Sequence, residues 1–135
     1  MRARAGLSAK TFVVAFDGVT SQTRAYRDAA RKAFREELSH VGPTYDNYEV
    51  HLWIKGYRRG RRLDVDNVAK AALDSLVGLV WRDDRQVTRL VVEKLSEGGE
   101  RIVLRARPTS LEETSEAMDE ALLSIGLAAG PAGVQ

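Results

Sequence analysis

Residues Arg61–Asp84 read RRLDVDNVAKAALDSLVGLVWRDD, and the reading of this stretch decides the architecture of the chain. Val65, Val68, Ala69, Ala72, Leu73, Leu76, Leu79 and Val80 recur at helical spacing. That spacing predicts a helix from Asp66 or Asn67 to about Val80, apolar over more than half its circumference. Ala71, Ser75 and Gly78 line much of the remainder with small side chains, so another backbone can pack close and the helix is expected at the centre of the domain. Asp66, Lys70 and Asp74 form a polar row at four-residue spacing. Alone, such a row reads equally well as a helix cap with two i,i+4 ion pairs. Its company changes that reading. Asp64 and Asp66 stand two apart at the entry to the helix, where backbone amide dipoles favour charged carboxylates, and Asp83 and Asp84 return directly after it. Close carboxylates that can share one ion are the donor set a hard divalent cation such as Mg²⁺ requires.

Upstream, Asn47–Lys55 alternates cleanly, with Tyr48, Val50, Leu52 and Ile54 on one side and Glu49, His51, Trp53 and Lys55 on the other. This predicts a strand with one protected face. It leads into GYRRGRR, where Arg58, Arg59, Arg61 and Arg62 crowd around two glycines. Guanidinium forks match phosphate oxygens, and four of them in five residues repel one another unless an anion lies nearby. Further back, Tyr26, Ala30, Ala33, Phe34, Leu38 and Val41 predict an amphipathic helix capped by Thr20 or Ser21 and ended by Gly42 and Pro43. Its outer face carries Arg27, Arg31, Lys32 and Arg35, read as a solvated basic stripe. Thr11–Asp17 is apolar at every inner position and predicts a strand buried on both faces, behind a disordered N-terminal arm.

Downstream, Val87–Leu95 and Arg101–Ala106 predict two strands, joined by SEGGE as a hairpin. Ser110 and Glu113 make a capping box for a last amphipathic helix, in which Leu111, Met118, Leu122 and Ile125 share a face. The order β-α-β-α-β-β-α predicts an α+β fold with a mixed sheet of about four strands packed with helices. Residues 108–135 hold five acids and no Lys or Arg, leaving 21 basic against 14 acidic residues in positions 1–107, a net of +7. A basic body suits a polyanionic partner, and the acidic helix is expected to dock on it. The absence of cysteine excludes disulfides and thiolate zinc sites. Phe12–Phe16 is too short for a signal-peptide core or a membrane span, so a cytoplasmic protein with no membrane association is expected.

The run RRLDVDNVAKAALDSLVGLVWRDDRQV resembles the RusA family of Holliday junction resolvases, whose signature is a basic stretch, a DLDN-like motif, a lysine, AxLDAL and W-x-DD. SQTRAYRDAARKAF looks like the family's RAYR segment, more loosely. The resemblance implies a dimeric, Mg²⁺-dependent endodeoxyribonuclease that cuts branched DNA by paired incisions in recombination and repair, with Mn²⁺ as an alternative ion and no small-molecule cofactor. Carried over, Asp64, Asp66 and Asp84 are the catalytic metal ligands and Lys70 the catalytic lysine, with Arg58, Arg59, Arg61 and Arg62 binding DNA. Asp74 is assigned to structure, paired with Lys70 or nearby backbone, and Asp83 to a supporting role. Residues 1–108 would form the nuclease domain, 109–127 an acidic helix of the same domain, and 128–135 a flexible tail. The loop DGVTSQT is shorter than the family's polar loop at that place, and the turn before WRDD is shorter as well. The rival reading is a nucleic-acid-binding module without catalysis, built on the arginine loop.

Overall fold

The computed structural model describes residues 1–56, 64–96, 98–109 and 111–127, with backbone alone for residues 111–115. The fold is built around β3 (Tyr48–Lys55), whose alternation is realised as predicted: Tyr48, Val50, Leu52 and Ile54 are buried, and their neighbours face the other way. On one side β3 pairs antiparallel with β5 (Arg101–Pro108), and on the other it pairs parallel with β4 (Val87–Leu95). A parallel pair needs a crossover, and α2 (Val65–Ser75) lies within it. With β1 (Ala3–Ser8) and β2 (Thr11–Phe16), the sheet runs β1-β2-β5-β3-β4. Helices α1 (Thr23–Glu37) and α2 pack against each other, and their buried residues join one core with Phe12, Phe16, Leu52, Leu104 and Trp81 on a single face of the sheet. The α+β class with a mixed sheet is as expected, with five strands rather than about four.

The additional strand is the N-terminal arm, expected to be disordered. Residues 3–8 pair along the whole of β2, and Glu37 at the end of α1 ties them down by accepting from Ala5 N (2.6 Å) and from the Arg4 guanidinium. The hairpin turns through Ala9 (φ 48°) and Lys10 (φ 67°), two left-handed residues of which neither is glycine. Strand β2 is buried on one face only; Val13, on the other, is 42% exposed. The expected β4–β5 hairpin does not form, because β3 lies between the two strands. Their connection instead crosses the end of β3, where Gly56 (φ +71°) donates to Leu95 O at 3.0 Å and an added Cβ would lie 2.4 Å from the Gly99 backbone. The glycines of this loop serve a close crossing rather than a tight turn.

Both core helices are shorter than predicted. Helix α1 stops at Glu37, and Leu38 and Val41 continue its apolar spacing in a turn closed by Val41 N–H to Leu38 O. Its N-cap is Gln22, without a side-chain bond; Thr20 instead exchanges two hydrogen bonds with the buried Tyr26 hydroxyl. Helix α2 starts one residue early, capped by Asp64, and ends at Ser75. The small residues Ala71 and Ser75 are buried within this chain, so they are spent on intramolecular packing. Helix α3 (Leu111–Ser124) closes through Gly126 (φ +81°), with Leu127 N–H on Leu122 O and Gly126 N–H on Leu123 O. No side chain from 116 to 127 is buried, so the docking expected of this helix is not seen in the single chain. Its expected capping residues Ser110 and Glu113, and the tail 128–135, lie outside the described side chains. Among the described residues no helix is long and apolar enough to cross a membrane.

Candidate active site

The β3-α2-β4 crossover positions the acidic residues. At its start, Asp64 has extended φ and ψ and accepts from Asp66 N–H at 3.3 Å, a long cap bond that places it before the first helical turn. Asp66 and Lys70 follow on the exposed side of α2, and Asp74 continues the row half-buried. Burial of Val68, Ala69 and Ala72 on the opposite side fixes the rotation of the helix, so this row must point outward.

At the end of the crossover, a dense set of contacts holds the WRDD segment. Trp81 is fully buried against the Tyr48 ring (5.7 Å between centroids), and Thr44 N–H bonds Val80 O at 3.0 Å. Burial raises the Tyr48 phenol pKa above its ordinary value, so the hydroxyl stays protonated in its 2.6 Å bond with Thr44 Oγ1. Gln86 does the most to fix this turn. Its Oε1 accepts from Arg82 N (2.9 Å) and Asp83 N (3.1 Å), while its Nε2 donates to Thr44 O and Asp46 O, both at 2.8 Å. Sequence reasoning missed this residue, although a capping-box pattern in Asp83–Gln86 was available as a signal. Asp83 caps the short 3₁₀ turn Asp84–Gln86 and pairs with Arg85 at 2.9 Å. The Arg85 side chain, then its backbone N–H, hold the Asp83 carboxyl down at about 2, and the adjacent Asp84 carboxyl contributes less. Asp83 is therefore engaged in the turn's own structure, and Asp84 is presented at the surface.

Asp66, Lys70, Asp74 and Asp84 line one groove of about 280 Å³ between α2 and β4, floored by Ala69, Leu73, Leu90 and Val92. Three of the four predicted catalytic residues are thus brought together, and Asp64 is not among the lining residues. Asp74 was assigned to a structural role, paired with Lys70 or nearby backbone, yet its side chain makes no hydrogen bond or ion pair among the described residues and lies in the groove with the others. Lys70 and Asp74 also border a second hollow towards Ser21, Thr23 and Asn67, so the row is approachable from both sides of α2. Oxygen-only donors around a lysine suit a hard divalent cation and a phosphate. Among the described residues, however, no three Asp, Glu or His side chains lie close enough together to hold a metal ion. The groove carries suitable donors without gathering them at one point. Arg58, Arg59, Arg61 and Arg62 lie outside the described residues. A larger cavity of about 640 Å³ lies away from this chemistry, between the β1–β2 hairpin and α1.

An acidic groove that includes a lysine is thus carried on the βαβ crossover of this α+β chain. The family model for endodeoxyribonuclease RusA matches residues 17–107, and the chain belongs to this family of metal-dependent DNA endonucleases, the Holliday junction resolvases. The matched range runs from the loop before α1 to the end of β5 and leaves β1, β2 and α3 outside it. Among curated proteins no sequence matches the chain.

Proposed function

We propose that this protein hydrolyses phosphodiester bonds of four-way DNA junctions by paired incisions, with the α2–β4 groove as its active site. The observation that carries the reading is the meeting of Asp66, Lys70 and Asp84 in one groove of a chain that belongs to a nuclease family. Asp64, Asp66 and Asp84 would hold Mg²⁺ or Mn²⁺, which supplies Lewis acidity toward the phosphate and a more acidic water. Lys70, one turn into α2, places a positive charge where negative charge develops on the phosphoryl oxygens. Leu73, Leu90 and Val92 supply an apolar floor beside these groups. Arg58, Arg59, Arg61 and Arg62 would bind flanking phosphates, so affinity falls steeply with salt. A homodimer would offer two such grooves to opposite strands of the junction.

The test is a synthetic four-way junction incubated with Mg²⁺ and the wild-type chain, beside Asp66→Asn, Asp84→Asn and Lys70→Ala. These three side chains are exposed, so the variants keep their fold by circular dichroism. Each is expected to lose symmetric nicking, by about 10²-fold or more, while junction binding in Ca²⁺ persists. Asp74→Asn belongs in the same series, with a smaller loss expected. Absence of nicking by the wild type, or equal nicking by the aspartate variants, refutes the proposal. One observation favours a second reading, a binding module without catalysis: the carboxylates do not converge among the described residues. Under that reading the wild type binds the junction and never cuts it.

A further inference from the structure

Just ahead of β3 the chain displays an aromatic ring that the fold does nothing to cover. Tyr45 is 78% exposed, more than any other large apolar or aromatic side chain among the described residues, and its hydroxyl has no hydrogen-bond partner there. The Arg82 guanidinium lies over one face of the ring, 4.4 Å from its centroid. Arg82 has no carboxylate partner among the described residues, and Asp83, which follows it directly, is taken by Arg85. One face of the ring thus carries a cation, and the other is open.

The ring stands on a fixed base. Thr44 and Trp81 form a parallel bridge, and Thr44 N–H bonds Val80 O at 3.0 Å, which sets Tyr45 beside Arg82. Gln86 holds both segments. Its Nε2 donates to Thr44 O and Asp46 O, on either side of Tyr45, while its Oε1 accepts from Arg82 N and Asp83 N. Strands β3 and β4 are parallel, so the ring and Asp84, each just ahead of one of them, stand at the same end of the pair. Asp84 is two residues on from Arg82, at most about 7 Å of extended chain and about two nucleotide steps along a DNA strand. The clamp that positions a groove carboxylate therefore positions the ring as well.

We propose that Tyr45, backed by Arg82, is a specificity-determining platform on which a base unstacked at the branch of the DNA substrate stacks. The proposal rests on the α2–β4 groove acting on branched DNA. Within a duplex each base is stacked on both faces, and pulling one out costs free energy; that cost is least for a base already unpaired or unstacked, as at a branch. A rigid aromatic face beside the groove therefore favours a branch over an intact arm. The preference is tolerant of sequence, because every base has a π-face, and amounts to about 5- to 150-fold in affinity per stacked base. Arg82 fills the far face of the ring and keeps a positive charge close to the strand's phosphates.

The experiment measures binding of the full chain, in Ca²⁺, to a four-way junction and to a duplex of the same sequence. Tyr45→Ala and Tyr45→Phe are compared with the wild type; the position is exposed, so both variants fold. Tyr45→Ala is expected to bind the junction at least about fivefold more weakly with duplex affinity unchanged, and Tyr45→Phe to keep the wild-type preference. A junction carrying 5-iodouracil at the branch point is expected, on irradiation, to crosslink to Tyr45, as mapped by mass spectrometry. Equal losses for junction and duplex, or a crosslink that maps elsewhere, overturn the proposal. So does a Tyr45→Ala variant that prefers the junction as strongly as the wild type does, and if the wild type nicks the junction in Mg²⁺ the function of the groove stands without the platform. Selective binding that depends on Tyr45, in a chain that never nicks, overturns the groove's catalytic role and leaves the platform standing.

Discussion

Gln86 gives the sharpest test of how the acidic groove is held. Its amide makes four hydrogen bonds, and removing them by Gln86→Ala leaves Arg82 N, Asp83 N, Thr44 O and Asp46 O without their partner. The bonds to Arg82 and Asp46 are exposed, so water replaces them at little cost. Those to Asp83 N and Thr44 O are partly buried, and at about 0.5–1.5 kcal/mol each they set the expected loss at about 1–3 kcal/mol. Gln86→Glu separates the two halves of the clamp. It keeps both acceptor bonds but points a carboxylate at two carbonyl oxygens, so it should destabilise at least as much as alanine. Urea denaturation measures both variants. The functional consequence follows from position: Asp84 lies two residues before Gln86 in the same short turn, so loosening the clamp displaces a groove carboxylate. Junction cleavage at saturating Mg²⁺ should then fall by about 10²-fold in fully folded protein, the scale of an ångström misplacement. A Gln86→Ala variant within about 0.5 kcal/mol of wild type and with full cleavage would refute the reasoning.

Other consequences are quicker to state. Gly56→Ala meets the Gly99 backbone at 2.4 Å and places a side chain at φ +71°, so a loss of about 3 kcal/mol or more is expected in thermal melting; a loss below about 1 kcal/mol means the crossing loop yields. The β1–β2 turn holds Ala9 and Lys10 in the left-handed region, and the double change Ala9→Asn, Lys10→Gly should stabilise the chain by about 1 kcal/mol, read from the urea midpoint. Glu37 has its pKa lowered from 4.5, first by the Ala5 N–H and then by Arg4. A depressed acid contributes stability that is present above about pH 4.5 and is lost as the pH falls through its folded value. The Ala5 amide resonance should therefore report release of β1 on acidification in the wild type, and Glu37→Gln should abolish that transition.

The parts of the fold that were legible in the sequence are those where burial imposes a period. In β3 the alternation of Tyr48, Val50, Leu52 and Ile54 with polar residues could hardly be misread, and β4 follows it with its bounds intact. What stayed hidden depends on pairing partners, which no local pattern records. Ala9 and Lys10 carry none of the Asn-Gly chemistry that marks a tight hairpin, so β1 looked like an arm. The glycines of SEGGE mark a turn in sequence, but whether the strands beside them pair is decided by β3, forty residues away. Leu38 and Val41 kept the apolar period going past the true end of α1 because a turn can bury the same side chains as a helix. In the site, spacing alone put Asp66 and Lys70 on one helix face; the returning acid pair left Asp83 and Asp84 both open, and the choice of Asp84 came from the family resemblance. Asp74 lacks the side-chain pair expected of it for an equally physical reason. Four-residue spacing from Lys70 permits an ion pair, and only the packing of β4 against α2 shows that the side chain opens into the groove.

The same packing separates two roles by face. Every groove residue lies on α2, on the turn before β4, or on the helix side of β4, where Leu90 and Val92 stand beside Val50 and Leu52. Trp53, Val91 and Val103 lie on the opposite side of the same strands. Because side chains alternate along a strand, neighbouring residues of β4 face different ways: Val92 floors the groove, and Val91 looks away from it. Substitutions should sort accordingly. A change at Leu90 should lower junction cleavage, whereas a change at Val91 or Val103 should alter stability and leave cleavage per site intact. A single variant that moved both together would show that the sheet does not insulate one face from the other.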